Sequence, residues 1–238
     1  SIRKLSIFDR KRSCLVFPKK GKGELLKMIV AIDGPAGVGK STIARKISKQ
    51  ASLFYVNSGN FYRAITYEVL KGNLSVEDHP SIVSIAEGLE FSIINEHLHV
   101  NNSDYENYLH SDSVDKLVAQ VSSIVPIRNI VNSAIRKTTV SMDIIVEGRD
   151  ISTVVFPNAD LKVYLDASVL KRANRRHKQG ISNLSLNEII KSIKRRDNID
   201  KTKIEGSLKI SDEALYLDTS DLTIDEVCEK VLQKLNSM

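Results

Sequence analysis

Tryptophan is missing from this sequence, and its 238 residues include only two cysteines. Cys14 and Cys228 lie far apart and match no metal-ligand spacing, which excludes a disulfide framework or zinc cluster and predicts reduced thiols. No apolar run approaches the roughly 20 residues of a membrane-spanning helix. No apolar segment of secretory type follows the N-terminus, so a signal peptide is not expected. A basic nucleic-acid-binding body is lacking too. The formal net charge is +6, but residues 1–27 hold nine basic and two acidic side chains, so the remainder carries −1. The expectation is a basic, disordered and dispensable extension over 1–27, with the folded domain starting at Met28. No nucleic-acid or membrane partner is expected for that domain.

What the chain does have is concentrated first in Met28–Ser48. Ile29–Ile32 is a short apolar run rich in β-branched residues, suited to a strand buried on both faces of a parallel sheet. Gly34-Pro35-Ala36-Gly37-Val38-Gly39-Lys40-Ser41, followed by Thr42, fits G-x-x-x-x-G-K-[ST] at every fixed position. Ile43, Ala44, Ile47 and Ala51 then recur at helical spacing. Strand, Gly-rich loop and helix arrive in the order a P-loop requires. Its backbone N–H groups and helix N-terminus can cradle phosphates. Lys40 can reach the β- and γ-phosphates, and the Ser41 hydroxyl can ligate Mg²⁺. A plain Gly-rich turn before a helix is the alternative, and the complete motif in its context argues against it.

Leu53–Val56 reads as a second strand, ending in Asn57-Ser58-Gly59-Asn60-Phe61-Tyr62-Arg63. A helix is predicted over Ala64–Leu70, capped by Ser58 or Asn60, which puts Arg63 in its first turn. The helix dipole prefers an acid there, so Arg63 is a candidate anion contact, against the blander reading of a solvated arginine. Residues 72–140 change texture. A helix is expected after Pro80. A β-hairpin follows over Leu89–Ile94 and Leu98–Val100 with Asn95-Glu96-His97 as a three-residue turn, then helices over Ser113–Ser123 and Asn129–Val140. His97, His99 and His110 lie here, and exposed histidines are the commoner reading than a metal site.

Ile144–Val146 is another wholly apolar strand, and it ends in Glu147-Gly148-Arg149-Asp150. Ligands gather at the carboxyl ends of strands in open α/β sheets. Glu147 is therefore a candidate Mg²⁺ holder, with Arg149 and Asp150 facing an acceptor; a turn with ordinary charges is the alternative. From Lys171 to Lys203 the chain is strongly basic, with a second helix expected over Leu186–Arg196. That stretch suits a mobile lid that neutralises a triphosphate, or else a solvated face. Leu215–Leu217 is a last strand, and Thr223-Ile224-Asp225-Glu226 a capping box opening the final helix. The order predicts an α/β three-layer sandwich of P-loop type, with a parallel sheet of about five strands.

From Met28 to Leu235 the sequence resembles bacterial cytidylate kinases. The resemblance rests on IDGPAGVGKST at 32–42, NSGNFYRA at 57–64, EGRDISTVVFPNADLKVYLDAS at 147–168 and KRRDNID at 194–200. It implies γ-phosphoryl transfer from ATP-Mg²⁺ to CMP or dCMP by direct in-line attack, in the cytoplasm; a monomer is expected because no surplus amphipathic helix asks for a partner. It implies a core of residues 28–71, 141–170 and 207–238, a monophosphate-binding insert over 72–140, and a lid over 171–206. Carried over by position, Lys40, Arg149 and Arg196 would be catalytic. Ser58, Tyr62, Arg63, Arg128, Arg149, Asp150, Arg196, Asp200 and Lys203 would hold the acceptor. Ser41 and Glu147 would hold the metal. The chain departs from the family pattern with Ala119 for a common serine, His110 and Lys203 for arginines, and Glu147 for an aspartate, which bears on CMP over UMP discrimination. The competing readings are a kinase for UMP or another small acceptor, and a nucleic-acid-associated P-loop ATPase.

Overall fold

The computed structural model describes residues 27–178, 180 and 184–238. Residues 1–26, and with them Cys14 and nearly all of the basic extension, lie outside the described residues. In chain order the elements are β1 (Ile29–Asp33), α1 (Lys40–Ala51), β2 (Phe54–Asn57), α2 (Ser58–Lys71), α3 (His79–Glu87), β3 (Phe91–Ile94), β4 (His97–Val100), β5 (Ser103–Asp104), α4 (Asp112–Val121) and α5 (Val125–Thr138). Then come β6 (Ile144–Gly148), β7 (Leu161–Asp166), α6 (Val169–Lys178), α7 (Leu186–Thr202), β8 (Leu215–Asp218) and α8 (Ile224–Asn236).

The expected parallel sheet is present, with five strands in the order β2-β6-β1-β7-β8. Period-two alternation splits its apolar residues between two helical layers. Val30, Ile32 and Ile145 pack with α1 and α8 through Ile43, Ile47, Val227 and Val231. Ala31, Ile144 and Val146 pack with α2 and α5 through Phe61, Ile65, Ile127 and Ile135. The second cluster continues into Leu98 and Val100 of β4, so the hairpin shares a core with one face of the sheet. Helices α6 and α7 enclose a small cluster of their own, Ala173, Ile189 and Ile193. Thr223 caps α8 in the predicted box, and Ser185 caps α7 in a second box with Glu188.

Several local expectations need correction. Helix α2 begins at Ser58, because the Asn57 side chain accepts from the Gly59 N–H and caps it. Arg63 therefore lies in the second turn, and the dipole argument does not apply to it. The hairpin turn has two residues rather than three. Asn95 and Glu96 both have positive φ, and His97 already pairs with Ile94; this is the geometry that lets a two-residue loop match the strand twist. A third short strand, β5, pairs with β4. Helix α7 runs six residues beyond Arg196, to Thr202. A wide π-type turn at Ile151–Val155, unforeseen from sequence, follows Asp150. His97 sits 2.8 Å from Asp104 as an ordinary hydrogen-bonded pair.

Candidate active site

The P-loop leaves the carboxyl end of β1, next to the ends of β6 and β7 on either side. Gly34 has φ +152°, and a Cβ there would overlap the Leu165 carbonyl oxygen, so only glycine permits this approach. Lys40 is buried, and its ammonium donates to the carbonyls of Gly34 and Pro35 at 2.9 Å each. Burial pushes its pKa well below the ordinary lysine value; Arg149 and Arg196 push the same way, against Glu147 and Asp200. Ser41 and Thr42 are exposed at the mouth of the loop.

The carboxyl end of β6 places Glu147, Gly148, Arg149 and Asp150 in the neighbouring crevice. Arg149 Nε donates to Asp200 Oδ2 at 2.8 Å. Asp200 also accepts from Lys203 Nζ at 3.0 Å, and these cations hold its carboxyl far below the usual range despite burial. Lys203 Nζ donates in addition to Ser122 Oγ at 2.9 Å. Arg128 donates through Nη1 to the Ser122 carbonyl at 2.9 Å and through Nη2 to Asp150, while its guanidinium lies over the Tyr62 ring. Both Arg128 and Asp150 are buried, so each charge is paid for by the other. Gly206, at φ +63°, passes so close that any Cβ would overlap the Arg128 guanidinium.

Arg196 interacts electrostatically with Arg149 and Arg63, and burial together with these cations lowers its pKa to about 10. Its Nε is buried without a hydrogen-bond partner. A buried, unpaired guanidinium N–H among other cations favours an anion beside it. Arg63 donates through Nη1 to the Leu109 carbonyl at 2.9 Å and lies 2.6 Å from Asp115. Lys40 on α1, Arg63 on α2, Arg196 on α7 and Arg149 just past β6 thus form one electrostatically linked cluster of cations. Of the remaining predicted residues, Ser58 donates its hydroxyl to the Glu147 carbonyl at 2.8 Å. Ala119 is half-buried on α4, one turn before Ser122.

Glu147 is buried, and Tyr55 donates a hydrogen bond to its Oε1. The Ser41 side chain, at the mouth of the P-loop, also acts on the Tyr55 phenol. The phenol thus anchors the carboxylate and lies near the Ser41 hydroxyl at the mouth of the P-loop. This pair of hard oxygen donors fits Mg²⁺, which binds one or two protein oxygens and takes the rest of its shell from phosphates and water. Among the described residues no group of three or more His, Cys, Asp or Glu could hold a metal by itself.

Sequence reasoning missed the groups that brace this site. Arg172 reads as a lid charge, yet it is buried; it donates to the P-loop carbonyl of Ala36 at 2.9 Å and forms a two-pronged pair with Asp197 of α7. Arg175 donates to the Val38 carbonyl at 3.2 Å and to Thr219. Buried Asp33 accepts from the N–H groups of Ile151 and Ser152 and from the Ser152 hydroxyl, which anchors the segment just after Arg149-Asp150 to β1. Tyr55 looked like an ordinary strand aromatic. Only the DG-like position of Asp33 before the P-loop, and the i, i+3 spacing of Arg172 and Arg175, hinted at these roles.

Fold and site together define a P-loop nucleotide-binding protein with a cluster of cations beside its phosphate loop. Comparison with known proteins narrows this class. The family model described as Cytidylate kinase matches residues 30–237. The cytidylate kinase of Borreliella burgdorferi (strain ZS7) is 41% identical, over 88% of this chain and 97% of that protein. That of Alkaliphilus oremlandii is 37% identical, over 88% and 98% respectively. A solved structure of an uncharacterized protein from Eubacterium ventriosum is similar in fold, with TM-score 0.51, 12% identity, and coverage of 90% of this chain and 100% of that one. The chain belongs to the cytidylate kinase family.

Proposed function

We propose that this protein transfers the γ-phosphoryl group of ATP to CMP and dCMP. The observation that carries the reading is the buried, unpartnered Arg196 Nε beside Arg149, Arg63 and Lys40, at the mouth of a P-loop. Two phosphate groups must be brought together for such a transfer, and their combined charge needs this density of cations.

In this reading the P-loop N–H groups hold the β-phosphate, and Lys40 leaves the Gly34 and Pro35 carbonyls for the γ-phosphate. Ser41 and Glu147 would hold Mg²⁺, which would supply positive charge to offset that of the phosphates. Arg63 and Arg149 grip the acceptor phosphate, and Arg196 from α7 spans both groups. Arg128 and Asp150 read the cytosine edge with complementary donors and acceptors, set by their mutual pairing. Ser58 holds the Glu147 carbonyl, and Tyr62 supports the Arg128 guanidinium. Asp200 and Lys203 steady Arg149 from the end of α7. Residues 72–140 act as the acceptor-binding insert and 171–206 as a lid that excludes water once both substrates are in place. Catalysis is then positioning and charge stabilisation, without a covalent intermediate. The reading includes a monomer working on cytoplasmic nucleotide pools.

The test is ADP production from ATP-Mg²⁺ with CMP, dCMP, UMP, AMP or TMP supplied separately. Turnover with CMP and dCMP well above the others is the expected result. ADP release that needs no acceptor would overturn the reading.

A further inference from the structure

Asp115 is used by neither the fold's core nor the transfer just described. It projects from the first turn of α4 between two arginines of different origin. Its Oδ1 lies 2.6 Å from Arg63 Nη2, and its Oδ2 lies 3.5 Å from Arg176 Nη2 on α6. Oδ1 is buried yet makes no well-angled hydrogen bond, so the Arg63 contact is held by charge rather than by aligned geometry. Arg63 itself is only partly exposed, and it also donates to the neutral Leu109 carbonyl. Arg196 also feels both Arg63 and Asp115.

We infer that Asp115 is an internal stand-in for the acceptor phosphate, a carboxylate that occupies Arg63 until a phosphate displaces it. The inference rests on the assignment of Arg63 to the acceptor phosphate. A carboxylate and a phosphate present the same kind of oxygen acceptors to a guanidinium, and the phosphate dianion carries more charge and more acceptors. A poorly aligned pair is the arrangement that a better-fitting anion exchanges with. The same carboxylate also reaches Arg176, so its release from Arg63 leaves it to α6. Arrival of the acceptor in the insert is thereby tied to a stronger contact between α4 and α6. Without Asp115, Arg63 would stand unneutralised beside Arg196, and the empty pocket would take up any phosphate.

Removing this charged residue from the site should therefore tighten binding rather than weaken it. Asp115→Asn keeps the shape and removes the competing anion. Its dissociation constant for CMP, by calorimetry, should fall about three- to tenfold, the worth of one partly exposed ion pair. Inorganic phosphate should bind more tightly as well. Cytidine, which has no phosphate, should bind as it does to the unaltered protein; a merely structural role for Asp115 would move all three. Arg63→Gln in the same assay must weaken CMP. If it does and Asp115→Asn leaves CMP affinity unchanged or weaker, Asp115 is a scaffold for Arg63 and the inference alone is wrong. If Arg63→Gln leaves CMP affinity unchanged, the acceptor site is misplaced and the inference falls with it. Asp115→Ala, checked for an intact fold by circular dichroism, repeats the test without the amide, and looser CMP binding there too would overturn the inference.

Discussion

Replacing Tyr55 by Phe removes one oxygen atom from the centre of the proposed metal site. The phenol donates to Glu147 Oε1 and lies near Ser41, and Arg45 lies 4.3 Å above its ring. A hydrogen bond to a charged group is worth about 1.5–3 kcal/mol, and losing this one also strands a buried carboxylate oxygen. Groups that orient metal ligands from behind typically cost about 10–100-fold in affinity when removed. The Phe variant should therefore fold, with stability lower by about 1–3 kcal/mol. It should bind Mn²⁺, as a paramagnetic substitute for Mg²⁺, about 10–100-fold more weakly in the presence of ATP. Electron paramagnetic resonance titration reads free Mn²⁺ directly, without turnover. ATP affinity in the absence of metal should barely change, since the phenol touches neither the loop carbonyls nor Lys40. Unaltered Mn²⁺ affinity in the Phe variant would refute the assignment of Glu147 to the metal, because the carboxylate would then be indifferent to losing its anchor.

Gly206→Ala puts a Cβ into the Arg128 guanidinium at a backbone φ of +63°. Arg128 cannot retreat without breaking its bonds to Asp150 and Ser122, so KM for CMP should rise by an order of magnitude or so while KM for ATP stays put; equal effects on both would contradict this. The depressed pKa of Lys40 gives a second outcome. Burial disfavours its ammonium in the empty enzyme, and a triphosphate alongside favours it, so its pKa rises on binding. ATP should then be bound with net proton uptake at alkaline pH, between the two pKa values, and with none well below both. Calorimetry in buffers of different ionisation enthalpy measures this, and a heat independent of buffer would rule it out.

The parts legible in the sequence were those where local pattern and chemistry coincide. The β1–P-loop–α1 unit, the apolar strands and the α8 capping box each carry their own signal over a few residues. The arginines at 149 and 196 were legible as charges in a phosphate-binding context, although the family resemblance was needed to assign them. What stayed hidden depends on partners distant in sequence. Arg172 sits in a run of basic residues that reads as a solvated face, and only folding brings it against Ala36 and Asp197. Tyr55 is an unremarkable strand residue until β6 delivers Glu147 beside it. The register errors have small local causes. Asn57 rather than Ser58 caps α2, and Asn95-Glu96 adopts positive φ without the glycine that usually announces such a turn.

The central claim is that one pocket of cations holds the acceptor phosphate beside the P-loop, and Arg149 is its hub. The most direct measurement is CMP affinity and kcat for Arg149→Ala, by calorimetry and steady-state kinetics on protein shown to be folded. The account predicts a loss in both, since the same guanidinium grips the phosphate before and during transfer. Wild-type affinity together with wild-type turnover would place the acceptor elsewhere and contradict it.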